Sequence, residues 1–175
     1  MSHKRFLSIY DEYADDLLSY GYGLGFAKED IEDTLQDVIL NLYRNDPQLK
    51  DVRNVKVYLF TALKNRLMNT TRRQRMDSLD DGTGQFDVSV TVSDLVEDEE
   101  ERRQLKLRVE LGLAQLTPRQ REAVYLRYIQ ELDYDDIARL LQMTKPSVRN
   151  LASKGLMEMR RQMAAKDFLL LLLMI

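Results

Sequence analysis

The sequence predicts an all-α protein of two small helical domains joined by an acidic linker, and three observations carry that prediction. Seven glycines and three prolines among 175 residues leave little turn chemistry for a many-stranded fold. Apolar residues recur every three or four positions instead of alternating. Charge is also segregated along the chain: residues 77–101 hold ten acidic side chains and no Lys or Arg. With 44% hydrophobic and 31% charged residues, the chain has enough apolar surface to bury a core, which argues against disorder.

In the first helix Phe6, Ile9, Tyr10, Tyr13 and Leu17 fall on one face, until Gly21, Gly23 and Gly25 interrupt the pattern. No strand precedes those glycines and no βαβ unit surrounds them, so they read as a helix–helix connection and only weakly as a phosphate loop. A second helix over 28–44 turns Ile31, Leu35, Val38, Ile39 and Leu42 inward, and Asn45-Asp46-Pro47 ends it. A third, over 55–75, is expected to bury Val55, Tyr58, Leu59, Ala62 and Leu67, and its end is dense in Lys and Arg. Self-repulsion and low hydrophobicity then make 77–101 an extended, flexible linker. The expected organisation is a domain over 1–76, the linker over 77–101, a second domain over 102–167 and an apolar tail over 168–175.

The second domain opens with Leu105, Val109 and Leu113 at helical spacing. Thr117-Pro118-Arg119-Gln120 is a capping box with Pro at the first helical position, so a helix starts there and runs to about residue 130. Asp133 can cap the next helix, with Asp135 and Asp136 in its first turn and Ile137, Ala138, Leu140 and Leu141 inside. Gln142-Met143-Thr144 makes a turn, and Thr144 caps a final helix whose buried face is Val148, Leu151, Ala152, Gly155 and Met159. Lys145, Arg149, Asn150, Ser153 and Lys154 then point away from the core. A short helix, a three-residue turn and a helix with a basic, hydrogen-bonding outer face make a helix-turn-helix. Arg and Asn match base edges in the major groove, while Lys and Ser suit phosphates. The net charge of −3 conceals this, because the part after residue 101 carries +6.

Other classes find less support. There is no cysteine for a disulfide framework, zinc site or thiol chemistry, and the one histidine, His3, sits at a terminus. Acidic pairs such as Asp15-Asp16 lack the companions a metal site needs. The chain is therefore expected to be no enzyme, to take no cofactor or metal, and to have no small-molecule substrate. The start of the chain is amphipathic, not secretory. As a helix, the apolar run of eight residues at 168–175 spans about 12 Å against a bilayer core of about 30 Å. A cytoplasmic protein without direct membrane insertion is the expectation.

Residues 116–161 (LTPRQREAVYLRYIQELDYDDIARLLQMTKPSVRNLASKGLMEMRR) resemble the fourth conserved region of bacterial sigma factors. Residues 29–45 (EDIEDTLQDVILNLYRN) and 55–75 (VKVYLFTALKNRLMNTTRRQR) resemble the second region, and two regions on one linker are the layout of the extracytoplasmic-function group. The resemblance implies core RNA polymerase and promoter DNA as partners and an anti-sigma factor as a further candidate. Asp33, Gln36, Asp37, Leu40 and Tyr43 match the helix that docks on the polymerase clamp; for Leu40 and Tyr43 plain core packing is an equal alternative. Residues 45–54 match the loop that receives an extruded base of the minus-ten element. Lys64, Asn65, Asn69, Arg72 and Arg73 match the basic helix along the melted strand, and Tyr58 reads as a core aromatic. Thr144, Lys145, Ser147, Arg149, Asn150, Ser153 and Lys154 match the helix that recognises the minus-thirty-five element.

The chain departs from the pattern in places. Gly155 stands where Ala is usual, which should loosen the last helix by about 1 kcal/mol. Leu151 and Ala152 leave the rotation of the reading face open. The linker's charge suits both a solvated spacer and a mimic of nucleic-acid backbone in the polymerase's exit channel. The tail is expected either to pack back on the second domain or to serve as an exposed patch. A stand-alone helix-turn-helix regulator is the alternative function, and a protein that titrates other factors is a third. The features that favour a sigma factor over both are the docking match (Asp33, Gln36, Asp37) and the basic pair Arg72 and Arg73.

Overall fold

The structure, a computed structural model, describes residues 3–44, 55–74, 86–87 and 98–162. The loop expected over 45–54, most of the expected linker and the apolar tail lie outside the described residues. The chain divides into two compact units, Met1–Gln85 and Phe86–Ile175.

The first unit is three helices, α1 (His3–Gly23), α2 (Lys28–Arg44) and α3 (Val55–Gln74), each packed on the other two. Leu17, Tyr20, Ile31, Leu35, Leu59, Phe60 and Leu63 are almost wholly buried, with the Tyr20 and Phe60 rings 5.0 Å apart. Burial of each large apolar side chain contributes roughly 1.5–3 kcal/mol, and this core holds α2 and α3 in register. The inward set expected for α2 is buried at all five positions. On α3 the set differs from expectation. Val57, Phe60 and Leu63 are buried beside Leu59 and Leu67, whereas Val55, Tyr58 and Ala62 are half-buried. Because α3 meets two neighbours, its buried surface is wider than the single stripe that a 3.6-residue period describes.

The glycine cluster also departs from expectation, since α1 continues through Gly21 to Gly23. A Cβ on Gly21 would lie 2.7 Å from Ile31 Cγ2, so the glycine allows α1 and α2 to touch. Gly25 ends the helix: its φ of 84° is left-handed, Phe26 N–H donates to the Gly21 carbonyl and Gly25 N–H to that of Tyr22. That is the Schellman pattern, which satisfies the last carbonyls of a helix and favours glycine.

The second unit contains α4 (Glu99–Ala114), α5 (Pro118–Val124) with a π-helical extension over Tyr125–Ile129, α6 (Tyr134–Leu141) and α7 (Lys145–Gln162). Helix α7 packs on α4, α5 and α6. Val109, Ala123, Leu126, Ile137, Val148, Ala152 and Met159 form the core. The expected caps are in place. Thr117 Oγ1 accepts from Gln120 N–H while the Gln120 side chain accepts from Thr117 N–H, and Asp133 accepts from Asp136 N–H. Gln142 takes the left-handed conformation that turns α6 into α7, with φ at 53°.

Two features of this unit fall inside the stretch expected to be linker. Helix α4 begins at Glu99, among the acidic residues that were expected to repel each other. An Asp or Glu in a helix's first turn is favoured by the macrodipole, and Glu100 also accepts from Arg103 and Gln104. Phe86, moreover, is only 2% exposed, its ring centroid 5.4 Å from that of Tyr125.

Candidate nucleic-acid interface

Helix α7 presents its polar face because its apolar face is held from three sides. Val148 and Ala152 are fully buried and Met159 nearly so, while Lys145, Arg149, Asn150, Ser153 and Lys154 are exposed. That settles the rotation: Leu151 is half-buried, Ala152 faces in, and the expected reading residues face out. Gly155 fixes how closely α7 approaches α5, since a Cβ there would lie 2.7 Å from Val124 Cγ2. The glycine expected to loosen the helix is therefore a packing requirement.

The expected reading residues are not equivalent. Thr144 Oγ1 accepts from Ser147 N–H at 3.3 Å, and the two hydroxyls lie 2.8 Å apart, so this pair caps α7. Lys145 Nζ pairs with Asp135 Oδ2 at 2.6 Å, across the turn of the motif. An exposed pair of this kind contributes about 0–1 kcal/mol, so a phosphate can displace the carboxylate. The side chains of Arg149 and Lys154 have no partner among the described residues, which leaves their donors available.

The turn between α5 and α6 positions the first helix of the motif. Arg127 donates to the Leu132 carbonyl at 2.9 Å and lies 4.9 Å from the centre of the Tyr134 ring. Burial, followed by the hydrogen bond with Tyr134, pushes the Tyr128 hydroxyl up to about 12. Nothing in the spacing of the sequence announces this cluster.

In the first unit the expected docking residues share one surface of α2. Asp33, Gln36 and Asp37 are exposed, and so are Leu40 (44%) and Tyr43 (42%). For Leu40 and Tyr43, plain core packing is therefore ruled out. Next to them lies a groove of about 490 Å³ between α2 and α3, lined by Phe26, Asp30, Asp33, Gln36, Asp37, Leu40 and Thr70 among others. Phe26, Asp30 and Thr70 were not foreseen, because the helix crossing that brings them together leaves no trace in sequence spacing. The groove is lined with acid from Asp30, Asp33 and Asp37, and Asp37 pairs with Arg66 at 2.9 Å. On α3, Asn65 and Asn69 are exposed and Lys64 is half-buried. The side chains of Arg72 and Arg73 lie outside the described residues, although the backbone of α3 includes both positions.

Two family models account for these surfaces: sigma-70 region 2 matches residues 9–76, and sigma-70 region 4 matches residues 106–159. The chain belongs to the sigma-70 family. It is an alternative sigma factor that directs transcription initiation, with the two-region layout of the extracytoplasmic-function group. Region 2 of this sigma factor takes in α2, the groove and α3; region 4 takes in the capping box and the whole helix-turn-helix. The region 2 match decides against a stand-alone regulator, for which that unit would be superfluous. No curated protein sequence matches the sigma factor. Among solved structures it is similar to the sigma factor RpoE of Bartonella quintana, crystallised with the anti-sigma factor NepR. That likeness has a TM-score of 0.62 and 20% identity, and covers 91% of this chain and 96% of the other. No helix among the described residues is long and apolar enough to cross a membrane.

Proposed function

We propose that this sigma factor divides its work between the two units as follows. The exposed side of α2 (Asp33, Gln36, Asp37, Leu40 and Tyr43) docks on the clamp of core RNA polymerase. Helix α3, through Lys64, Asn65, Asn69, Arg72 and Arg73, contacts the melted strand of the minus-ten element, where amide and guanidinium groups suit exposed bases and phosphates. Helix α7 enters the major groove at the minus-thirty-five element. Arg149 and Asn150 face base edges; Lys145, Ser153 and Lys154 face phosphates; Thr144 and Ser147 hold the helix N-terminus toward the backbone. The protein works in the cytoplasm as a binding factor with no catalytic step of its own, and an anti-sigma factor, the class of partner crystallised with the similar RpoE, would compete on this chain for the α2 surface.

One observation carries this reading: α7 turns Val148, Ala152 and Met159 inward and Arg149, Asn150, Ser153 and Lys154 outward. The experiment is footprinting of the complex formed by core polymerase, this sigma factor and a promoter it transcribes. Protection is expected at two separated elements, with reactive, unpaired bases at the downstream one. Arg149→Ala should abolish upstream protection, and Asn69→Ala should reduce downstream opening. If both variants weaken both elements equally, the division of labour is wrong.

A further inference from the structure

Within the acidic stretch between the two sets of helices, residues 86–87 are described, and they are held by the second unit. Phe86 is 2% exposed and packs on Tyr125. Arg121, whose side chain is 14% exposed, closes over it, donating to the Phe86 carbonyl at 2.8 Å and to Asp87 Oδ1 at 3.1 Å. The same guanidinium donates to the carbonyls of Leu113 and Leu116, at 2.9 and 3.1 Å. A planar fork used on four acceptors fixes its partners more firmly than a surface ion pair does. Residues 86–87 are thereby fastened to the α4–α5 corner of the second unit.

The covalent consequence follows from chain geometry. From Gln74 at the end of α3 to Phe86 is twelve residue steps, at most about 43 Å when fully extended. Without the fastening, the tether would run twenty-five steps to Glu99, at most about 90 Å. Only three of the ten acidic side chains, Asp77, Asp80 and Asp81, fall between Gln74 and Phe86 in the sequence.

We infer that the Phe86–Arg121 clip makes residues 75–85 the tether between the units, so that Phe86 and Arg121 are positioning residues setting the range of promoter spacings accepted. The inference rests on the proposal that each unit reads one promoter element. Each added base pair moves the elements about 3.4 Å apart and rotates them by about a tenth of a turn. A short tether confines both units to a narrow range of separations and raises the effective concentration of the second unit once the first is bound. That concentration falls roughly as the −3/2 power of length, so doubling the tether lowers it about threefold.

The test is transcription by the reconstituted holoenzyme from promoters identical except for the spacer, varied one base pair at a time. Three variants are compared with the unaltered chain: Phe86→Ala, Phe86→Leu, and a ten-residue Gly-Ser insertion between Asp81 and Gly82, a point in the sequence between α3 and Phe86 that interrupts none of the described helices. The inference expects Phe86→Ala to extend the active range to spacers several base pairs longer, with output at the best spacer reduced about threefold. The insertion should do the same, and Phe86→Leu should keep the original range. If the insertion widens the range while Phe86→Ala only lowers output at every spacer, the clip is not the anchor. If neither variant widens it, spacing is set by polymerase alone. Both results overturn the inference. If the unaltered chain transcribes at no spacing, the promoter reading fails first and the inference falls with it.

Discussion

Gly155→Ala should destabilise the second unit, although helix propensity alone argues the reverse. In an exposed helix interior, replacing Gly with Ala stabilises by about 1 kcal/mol. At Gly155, however, the new Cβ would lie 2.7 Å from Val124 Cγ2, while Leu116 Cδ1 and Gln120 Cβ, at 3.5 and 3.7 Å, are ordinary contacts. Val124 is β-branched, 2% exposed and next to the π-helical turn, so it has no free rotamer into which to retreat. Overpacking of this kind costs about 1–3 kcal/mol, which leaves a net loss of about 1 kcal/mol. Truncating the obstacle separates the two effects. Val124→Ala alone should cost about 1.6 kcal/mol for the two carbons lost, and in that background Gly155→Ala should become stabilising by about 1 kcal/mol. The assay is urea unfolding of the four full-length proteins by far-UV circular dichroism, with amide hydrogen exchange assigning the change to α5 and α7. If Gly155→Ala stabilises the unaltered protein, or if the two substitutions simply add, the close approach of α5 and α7 is not what fixes this position.

Three further outcomes are expected. Arg121→Ala removes the guanidinium donors to the carbonyls of Phe86, Leu113 and Leu116, of which Leu113 still accepts from Leu116 N–H, and should cost about 1–3 kcal/mol in urea unfolding; Arg121→Lys should recover only part, because an ammonium cannot span the fork. The raised Tyr128 pKa means that the unfolded chain loses this proton first. The stability it contributes is present below pH 10.0 and lost as pH rises toward about 12, so Tyr128→Phe should flatten the alkaline unfolding profile in that window. Leu40→Glu and Asp37→Lys should each weaken binding to core polymerase at least tenfold (about 1.4 kcal/mol) while moving the unfolding midpoint little, because both side chains are exposed. Pull-down with core enzyme beside a melting curve checks both halves of that statement.

Local chemistry made much of the fold legible in the sequence. The Thr117 capping box, the Asp133 cap and the Thr144 cap are satisfied within three or four residues of themselves, so their spacing is enough to reveal them. The apolar stripe of α2 was readable because one face of the helix carries all its burial. Features that depend on distant partners were not legible. Phe60 and Leu63 are buried because α3 lies against two helices; Gly21 and Gly155 are needed because Ile31 and Val124 lie opposite them. Phe86 sits among acidic and small residues and reads as linker until Arg121, thirty-five positions away, closes on it. The candidate reading face of α7 was legible from its period and composition. The groove beside α2 was not, since its lining is drawn from two helices and the turn before α2.

The measurement that bears most directly on the central claim is run-off transcription from promoter-containing fragments, using core bacterial RNA polymerase with and without this protein. Discrete transcripts that require the protein are expected. They should disappear in the Arg149→Ala, Lys154→Ala double variant, even though that variant still co-purifies with core polymerase. Transcripts that persist undiminished in the double variant would contradict the assignment of α7 as the reading helix.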